Sequence, residues 1–406
     1  MAGDRCEEFA MAVESIGVPE YIRQLIPYVP GKPIEETQRE LGLKRVIKLA
    51  SNENPLGPSP KALAALKKAV RDLHRYPDSG GFRFKQALSK YLAVAPESII
   101  LGNGSNEVID FLIRTYCVPG DSVVTSEAAF VAYKICAQIH GVNTSEAPLT
   151  SELKFDLDRM VELTRNHPRV RMVFVANPNN PTGTYVNREA LHGFLRKISE
   201  IRGGSVLVVL DYAYWEYVTA RDLPDPMECL REFENVVVLR TFSKVHGLAG
   251  LRLGYGVASP SVIASLEKVR QPFNVNTLAL VAGEAALSDR AFMTRAKKVN
   301  QAGLNFWEKA LKKAGVPFLP SQGNFLLADV QTGLGESGAD CFQRCLKLGV
   351  IFRPVANYGL KNYLRISVGT PEENRIAARA LLSSQSGSRK PRKPNRQSKK
   401  SANGRK

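Results

Sequence analysis

From about residue 98 the chain alternates short apolar runs with amphipathic stretches. SIIL at 98–101 reads as a strand, GNGSNE at 102–107 as a turn, and VIDFLIRTYC at 108–117 as a helix. DSVVTSE at 121–127 predicts a second strand and Phe130 to His140 a second helix. VRMVFVAN at 170–177, SVLVVLD at 205–211, NVVVLRTF at 235–242 and GYGVAS at 254–259 read as further strands, with a helix from Arg188 to Ile201. Continuous Val/Leu-rich strands alternating with helices predict an α/β fold with a mostly parallel sheet covered on both faces. Upstream, KALAALKKAVR at 61–71 has helical periodicity, with Leu63, Leu66 and Val70 on one face. Downstream, strands at 323–330, 350–354 and 362–368 and a helix near 337–348 predict a smaller α+β unit. The expected division is an arm and part of the small domain over 1–50, a large domain over 51–275, the rest of the small domain within 276–384, and a tail at 385–406.

Composition narrows the partners. The 406 residues are 44% hydrophobic and 23% charged, with a formal charge of +17. No apolar run approaches the roughly 18 residues of a membrane helix, and the first 30 residues have no signal-like apolar stretch. Residues 385–406 hold nine bases and no acids, and too few apolar groups to offset the entropy of ordering them. That tail reads as a solvated basic extension, and it is the single place where nucleic acid or another polyanion is expected to bind. The cysteines Cys6, Cys117, Cys136, Cys229, Cys341 and Cys345 form no C-x-x-C pair, and the five histidines are scattered. No metal site is expected, and a reducing cytoplasm is.

The candidate chemistry lies just past the strand ends, where open parallel sheets bind ligands. GNGSNE opens a helix, and backbone N–H groups there favour a phosphate. NPNNPTG at 177–183 offers asparagine amides to a phenolic oxygen, although a rigid turn alone would explain it. Asp211 ends an apolar run, so its carboxylate needs a partner such as a protonated ring nitrogen. Tyr214 could donate to an oxygen of the same ring. Lys244 follows a buried strand among small residues, conditions that lower a lysine pKa and suit it to condense with a carbonyl. Arg252 offers a fork for phosphate. Together these are the parts of a pyridoxal phosphate site.

The chain resembles the fold-type I pyridoxal-phosphate-dependent aminotransferases, and within them the branch acting on L-histidinol phosphate. YVPGKP at 28–33, KLASNENPLGPSP at 48–60, RYPD at 75–78, GNGSNE, NPNNPTG, DYAY at 211–214, FSKVHGLAGLRLGY at 242–255 and LRISVGT at 364–370 carry the resemblance. It implies a seven-stranded sheet in the large domain and a smaller α+β domain built from both chain ends. It makes Lys244 the lysine that carries the cofactor, Asp211 the partner of its ring nitrogen, and Asn180 and Tyr214 the donors to its ring oxygen. Ser105, Asn106, Thr241, Ser243 and Arg252 would hold the phosphate, and Phe130 would stack on the ring. Tyr76 would reach the neighbouring subunit's cofactor in a homodimer.

Arg365 would bind the substrate's anionic group, with Arg353 as a second cation. Asn54, Tyr21, Tyr28 and Arg270 are weaker candidates for substrate contact. The implied reaction is amino transfer from L-histidinol phosphate to 2-oxoglutarate, with an aromatic amino acid donor as the alternative. A nucleic-acid-binding role through the tail is the reading from another class. Tyr212 and His246 replace the Glu and the aromatic residue of many relatives, which leaves specificity open.

Overall fold

The computed structural model describes residues 17–25 and 31–383; Cys6, Tyr28 and the basic tail lie outside them. The strands in chain order are β1 (Ile47–Lys48), β2 (Ile99–Gly102), β3 (Ser122–Ser126), β4 (Asn143–Ala147), β5 (Val170–Ala176), β6 (Leu207–Asp211) and β7 (Val236–Thr241). They continue with β8 (Gly254–Val257), β9 (Phe318–Leu319), β10 (Phe325–Asp329), β11 (Val350–Ile351), β12 (Arg353–Val355) and β13 (Leu360–Ser367). Seven form one sheet in the order β2-β8-β7-β6-β5-β3-β4. All are parallel except β8, which runs against both neighbours. Thus β2, β5, β6 and β7 finish at one edge of the sheet, and β8 begins there. β6 and β7 are buried along their whole length, as strands covered on both faces must be.

A second apolar core joins Ile47 and Leu49 to Trp307, Leu326, Phe352, Ile366 and Leu381. Residues from both chain ends therefore pack together around the antiparallel sheet β12-β13-β10-β9 and the parallel pair β1-β11. The long helix Arg290–Ala314 supplies Leu304, Trp307 and Leu311 to this core. The first core runs past the expected boundary at 275, because the helix Thr277–Leu287 buries Ala279, Ala282 and Ala286 in it. No helix among the described residues is long and apolar enough to cross a membrane.

Several local expectations change. The face Leu63, Leu66, Val70 is not the buried one: Leu63 and Val70 are exposed, and Ala62 is fully buried. The small alanine lets the helix Pro60–Ala69 lie close against Thr277–Leu287. The helix expected from residue 108 starts at Gly104, so most of GNGSNE belongs to its first turn. There the Glu107 carboxylate accepts from the Asn103 backbone N–H at 2.7 Å. β4 was not expected, because NTSEA is a polar edge strand with little apolar patterning. The run VIFRP divides at Phe352: β11 pairs with β1, and β12 crosses into the other sheet.

Trp307 is fully buried, and its indole N–H donates to Asn374 Oδ1 at 2.9 Å. Trp307→Ala should destabilise the fold by about 3–5 kcal/mol in urea unfolding. A loss below about 1 kcal/mol would mean that the second core contributes little to the measured transition.

Candidate active site

The four strand ends and the second core meet around a cavity of about 280 Å³. Ser105, Asn106, Phe130, Asn180, Asp211, Tyr214, Thr241, Ser243, Lys244, Arg252, Arg353 and Arg365 all line it.

One end is shaped for an anion. Gly104 has φ +73°, and a Cβ there would lie 2.6 Å from Arg252 Nη2. A Cβ on Gly254 would lie 2.3 Å from the Ser105 backbone nitrogen. Gly104 leaves room for the Arg252 guanidinium, and Gly254 lets β8 lie against the N-terminus of the helix Gly104–Tyr116. A cation and a positive helix end converge there, beside the hydroxyls of Thr241 and Ser243. Those hydroxyls are held in place, with Thr241 Oγ1 donating to Ser243 Oγ at 3.0 Å. A phosphate fits this cradle in charge and in donor chemistry.

Asp211 is buried at the end of β6. Tyr133 Oη donates to its Oδ2 at 2.8 Å, and the Ala213 N–H donates to Oδ1 at 3.0 Å. Burial pushes its pKa up, and these two hydrogen bonds and the Lys244 charge oppose the rise. The Lys244 ammonium lies 5.6 Å from the Tyr214 ring centroid and donates to the Ser51 carbonyl at 3.4 Å. Desolvation, helped by the charges of Arg365 and Arg252, brings its pKa down to about 8. Tyr214 Oη accepts from Asn52 Nδ2 at 2.9 Å, which leaves its own proton for donation. Burial pushes that phenol up to about 12.

The asparagines of NPNNPTG divide their work. Asn177 closes its loop through the Val186 carbonyl and N–H, and Asn179 donates to the Ala128 carbonyl. Asn180 faces the cavity, and its Oδ1 accepts from Arg365 Nη1 at 2.5 Å. Arg353 and Arg365 are directly opposed on β12 and β13. Both line the cavity, so this side of it carries positive charge.

Other candidates fall elsewhere. Asn54 does not line the cavity: its amide donates to the Val245 carbonyl, and its oxygen accepts from the Leu56 N–H. Arg270 pairs with Glu267 and Asn274 away from the cavity. The Tyr21 carbonyl accepts from Gln138 on a different surface. Tyr76 is 83% exposed and stacks on Phe273 at 4.8 Å, outside this cavity. Tyr212 is buried against Trp215 and His246 against Phe242, and neither lines the cavity. Burial brings the His246 pKa down to about 4, so that ring stays neutral. His192, Glu228 and Glu232 meet on another surface, where Arg188 binds Glu228 and His192 binds Glu232.

Sequence reasoning missed Asn52, Glu53 and Tyr133 on the cavity wall. Tyr133 lies three residues beyond Phe130, a spacing that could have flagged it. Asn52 sits in the SNEN run, but its φ of +54° breaks the alternation of an extended segment.

Residues 44–381 match the family model for aminotransferases of class I and II. A histidinol-phosphate aminotransferase from Anaeromyxobacter sp. (strain Fw109-5) is 47% identical over 364 residues, covering 90% of this chain and 98% of that protein. A histidinol-phosphate aminotransferase 2 from Pseudomonas fluorescens (strain Pf0-1) is 47% identical over 362 residues, covering 89% and 95%. The crystal structure of histidinol-phosphate aminotransferase from Sinorhizobium meliloti in complex with pyridoxal-5'-phosphate superposes with a TM-score of 0.81. It shares 27% identity and covers 90% of this chain and 97% of that one.

The lysine offers a test that needs no substrate. Between about pH 8 and 10.5 the unfolded chain keeps a proton that the folded chain has released from Lys244, so this group's contribution to stability rises with pH across that window. Lys244→Met should therefore raise the urea midpoint of the cofactor-free protein at pH 7. The gain should shrink as the pH rises through the window. A lowered midpoint at pH 7, or a gain independent of pH, would count against a desolvated lysine.

Proposed function

The chain belongs to the aminotransferases of class I and II, and from that premise we propose that it transfers the amino group of L-histidinol phosphate to 2-oxoglutarate, giving imidazole-acetol phosphate and L-glutamate. The convergence of Lys244, Asp211, Tyr214 and the Arg252 cradle on one cavity carries the reading. The near-full-length relatives at 47% identity support the substrate.

The cofactor is pyridoxal phosphate, which when bound supplies an electron sink for the carbon that loses its proton. Arg252, Ser105, Asn106, Thr241 and Ser243 would bind its phosphate, and Phe130 would pack on its ring. Asp211 holds a proton at the ring nitrogen. Asn180 and Tyr214 donate to the ring oxygen. Lys244, with a lowered pKa, has free amine available near neutral pH and moves the proton as base and then acid. Arg365 and Arg353 hold the substrate's phosphate or carboxylate.

The working unit in this reading is a homodimer in the cytoplasm. Leu73, Tyr76, Phe82 and Phe273 expose large apolar side chains, and a second copy would cover them. From there Tyr76 would reach the neighbouring site. The free thiols of Cys117, Cys136, Cys229, Cys341 and Cys345 suit a reducing compartment. The division into a large domain and a small domain built from both chain ends belongs to the same reading.

Purified cofactor-loaded protein should turn over L-histidinol phosphate with 2-oxoglutarate and prefer it to phenylalanine. Lys244→Ala should lower the rate by about 10²-fold or more. Preference for phenylalanine, or turnover of neither, would overturn the substrate assignment.

In sedimentation the protein should have twice the chain's mass of 44.7 kDa. Tyr76→Phe should weaken cofactor binding about tenfold by losing a charge-assisted hydrogen bond. A monomer with unchanged cofactor affinity in the variant would refute the shared site.

A further inference from the structure

Tyr133 takes none of the roles assigned above, although it is fully buried at the cavity wall. Its ring lies flat on Phe174 of β5, with centroids 4.6 Å apart and planes inclined by 10°. Phe130 meets it edge-on at 5.7 Å and 88°. Packing on two sides fixes where the hydroxyl points, and it points at Asp211 Oδ2, 2.8 Å away. The other carboxylate oxygen is held by the Ala213 N–H at 3.0 Å. One grip comes from the backbone just past β6, and the other from the helix Ala132–Ile139 that covers the sheet.

We propose that Tyr133 is a positioning residue: its hydroxyl keeps the Asp211 carboxylate charged and turned so that a free lone pair faces the cofactor's ring nitrogen. The inference rests on the reading of Asp211 as that nitrogen's partner. Burial alone favours the neutral acid, and a hydrogen bond donated to the carboxylate favours the charged form. A carboxylate has about four lone-pair sites, so one donor on each oxygen still leaves room for a third partner. With the Ala213 N–H as its only donor, the group could turn about its Cβ–Cγ bond. Tyr133 remains a donor, because burial and the Asp211 charge hold its own ionisation well above the ordinary range. Phe130 and Tyr133 lie three residues apart, so a single segment would supply both the aromatic face for the ring and the support for its nitrogen's partner.

The test is a double-mutant cycle read by cofactor affinity and by kcat and KM of the holoenzyme. Tyr133→Phe keeps the stacked ring and removes only the hydroxyl. It should weaken pyridoxal phosphate binding about tenfold and lower kcat, with little change in donor KM. In an Asp211→Asn background the same substitution should add less than about a twofold loss. Unchanged affinity and kcat in Tyr133→Phe would overturn the proposal, as would an equal loss in both backgrounds, which would assign the effect to packing. A Tyr133→Phe protein that does not fold would also overturn it, since the hydroxyl would then serve the fold. Asp211→Asn with unaltered affinity and kcat would overturn the reading of Asp211 itself, and the inference with it.

Discussion

Burying the Asp211 carboxylate at the end of β6 sets the terms for much of what surrounds it. An isolated charge in an apolar interior is costly, and a carboxylate there becomes neutral unless donors and a cation hold it charged. Here the donors are Tyr133 and the Ala213 N–H, and the nearby cation is Lys244. The lysine is itself desolvated and sits among two arginines, which lowers its pKa toward the range in which it can exchange a proton. Each group supplies part of what the other needs. A ligand that brings a protonated ring nitrogen to Asp211 and an anion to the arginines improves both environments.

The site also couples the two cores. Asn52, in a left-handed conformation, bonds Tyr214 on one side and Ser367 of β13 on the other. Asn324, just ahead of β10, donates to the Asn52 carbonyl at 2.9 Å. Arg365 of β13 reaches Asn180 and the Ala50 carbonyl. Polar groups from the antiparallel sheet thus complete the hydrogen bonding of groups at the edge of the parallel sheet. These hydrogen bonds tie the position of one sheet relative to the other to the shape of the cavity.

The architecture was legible where the physics is local. Apolar runs such as VVVLRT can hardly sit anywhere but inside a covered sheet, and β5, β6 and β7 lie where those runs fall. The strand-end rule brings GNGSNE, Asp211 and Lys244 to one place from the sequence alone. What the chain concealed depends on packing or on backbone conformation. Ala62 is buried because a neighbouring helix comes close, and nothing in its own segment marks it. The sequence points to Asn54 and not to Asn52, yet the backbone turns Asn52 to the cavity and Asn54 toward Val245. The role of Tyr133 is hidden in the sequence, because its hydrogen bond to Asp211 spans 78 residues.

β12 and β13 place Arg353 and Arg365 opposite each other, and both line the cavity. Carboxylate and phosphate both satisfy a planar guanidinium fork. The cavity therefore need not discriminate at this end between a phosphate-bearing amino donor and a dicarboxylate. Discrimination falls to the rest of the wall, where Glu53 is the one acid besides Asp211 among the lining residues. Because Glu53 is paired with Lys48 at 3.0 Å and stands partly in solvent, the field it adds at the mouth is weak. In the proposed reading the same two arginines would meet a phosphate-bearing amino donor in one half of the reaction and a dicarboxylate in the other.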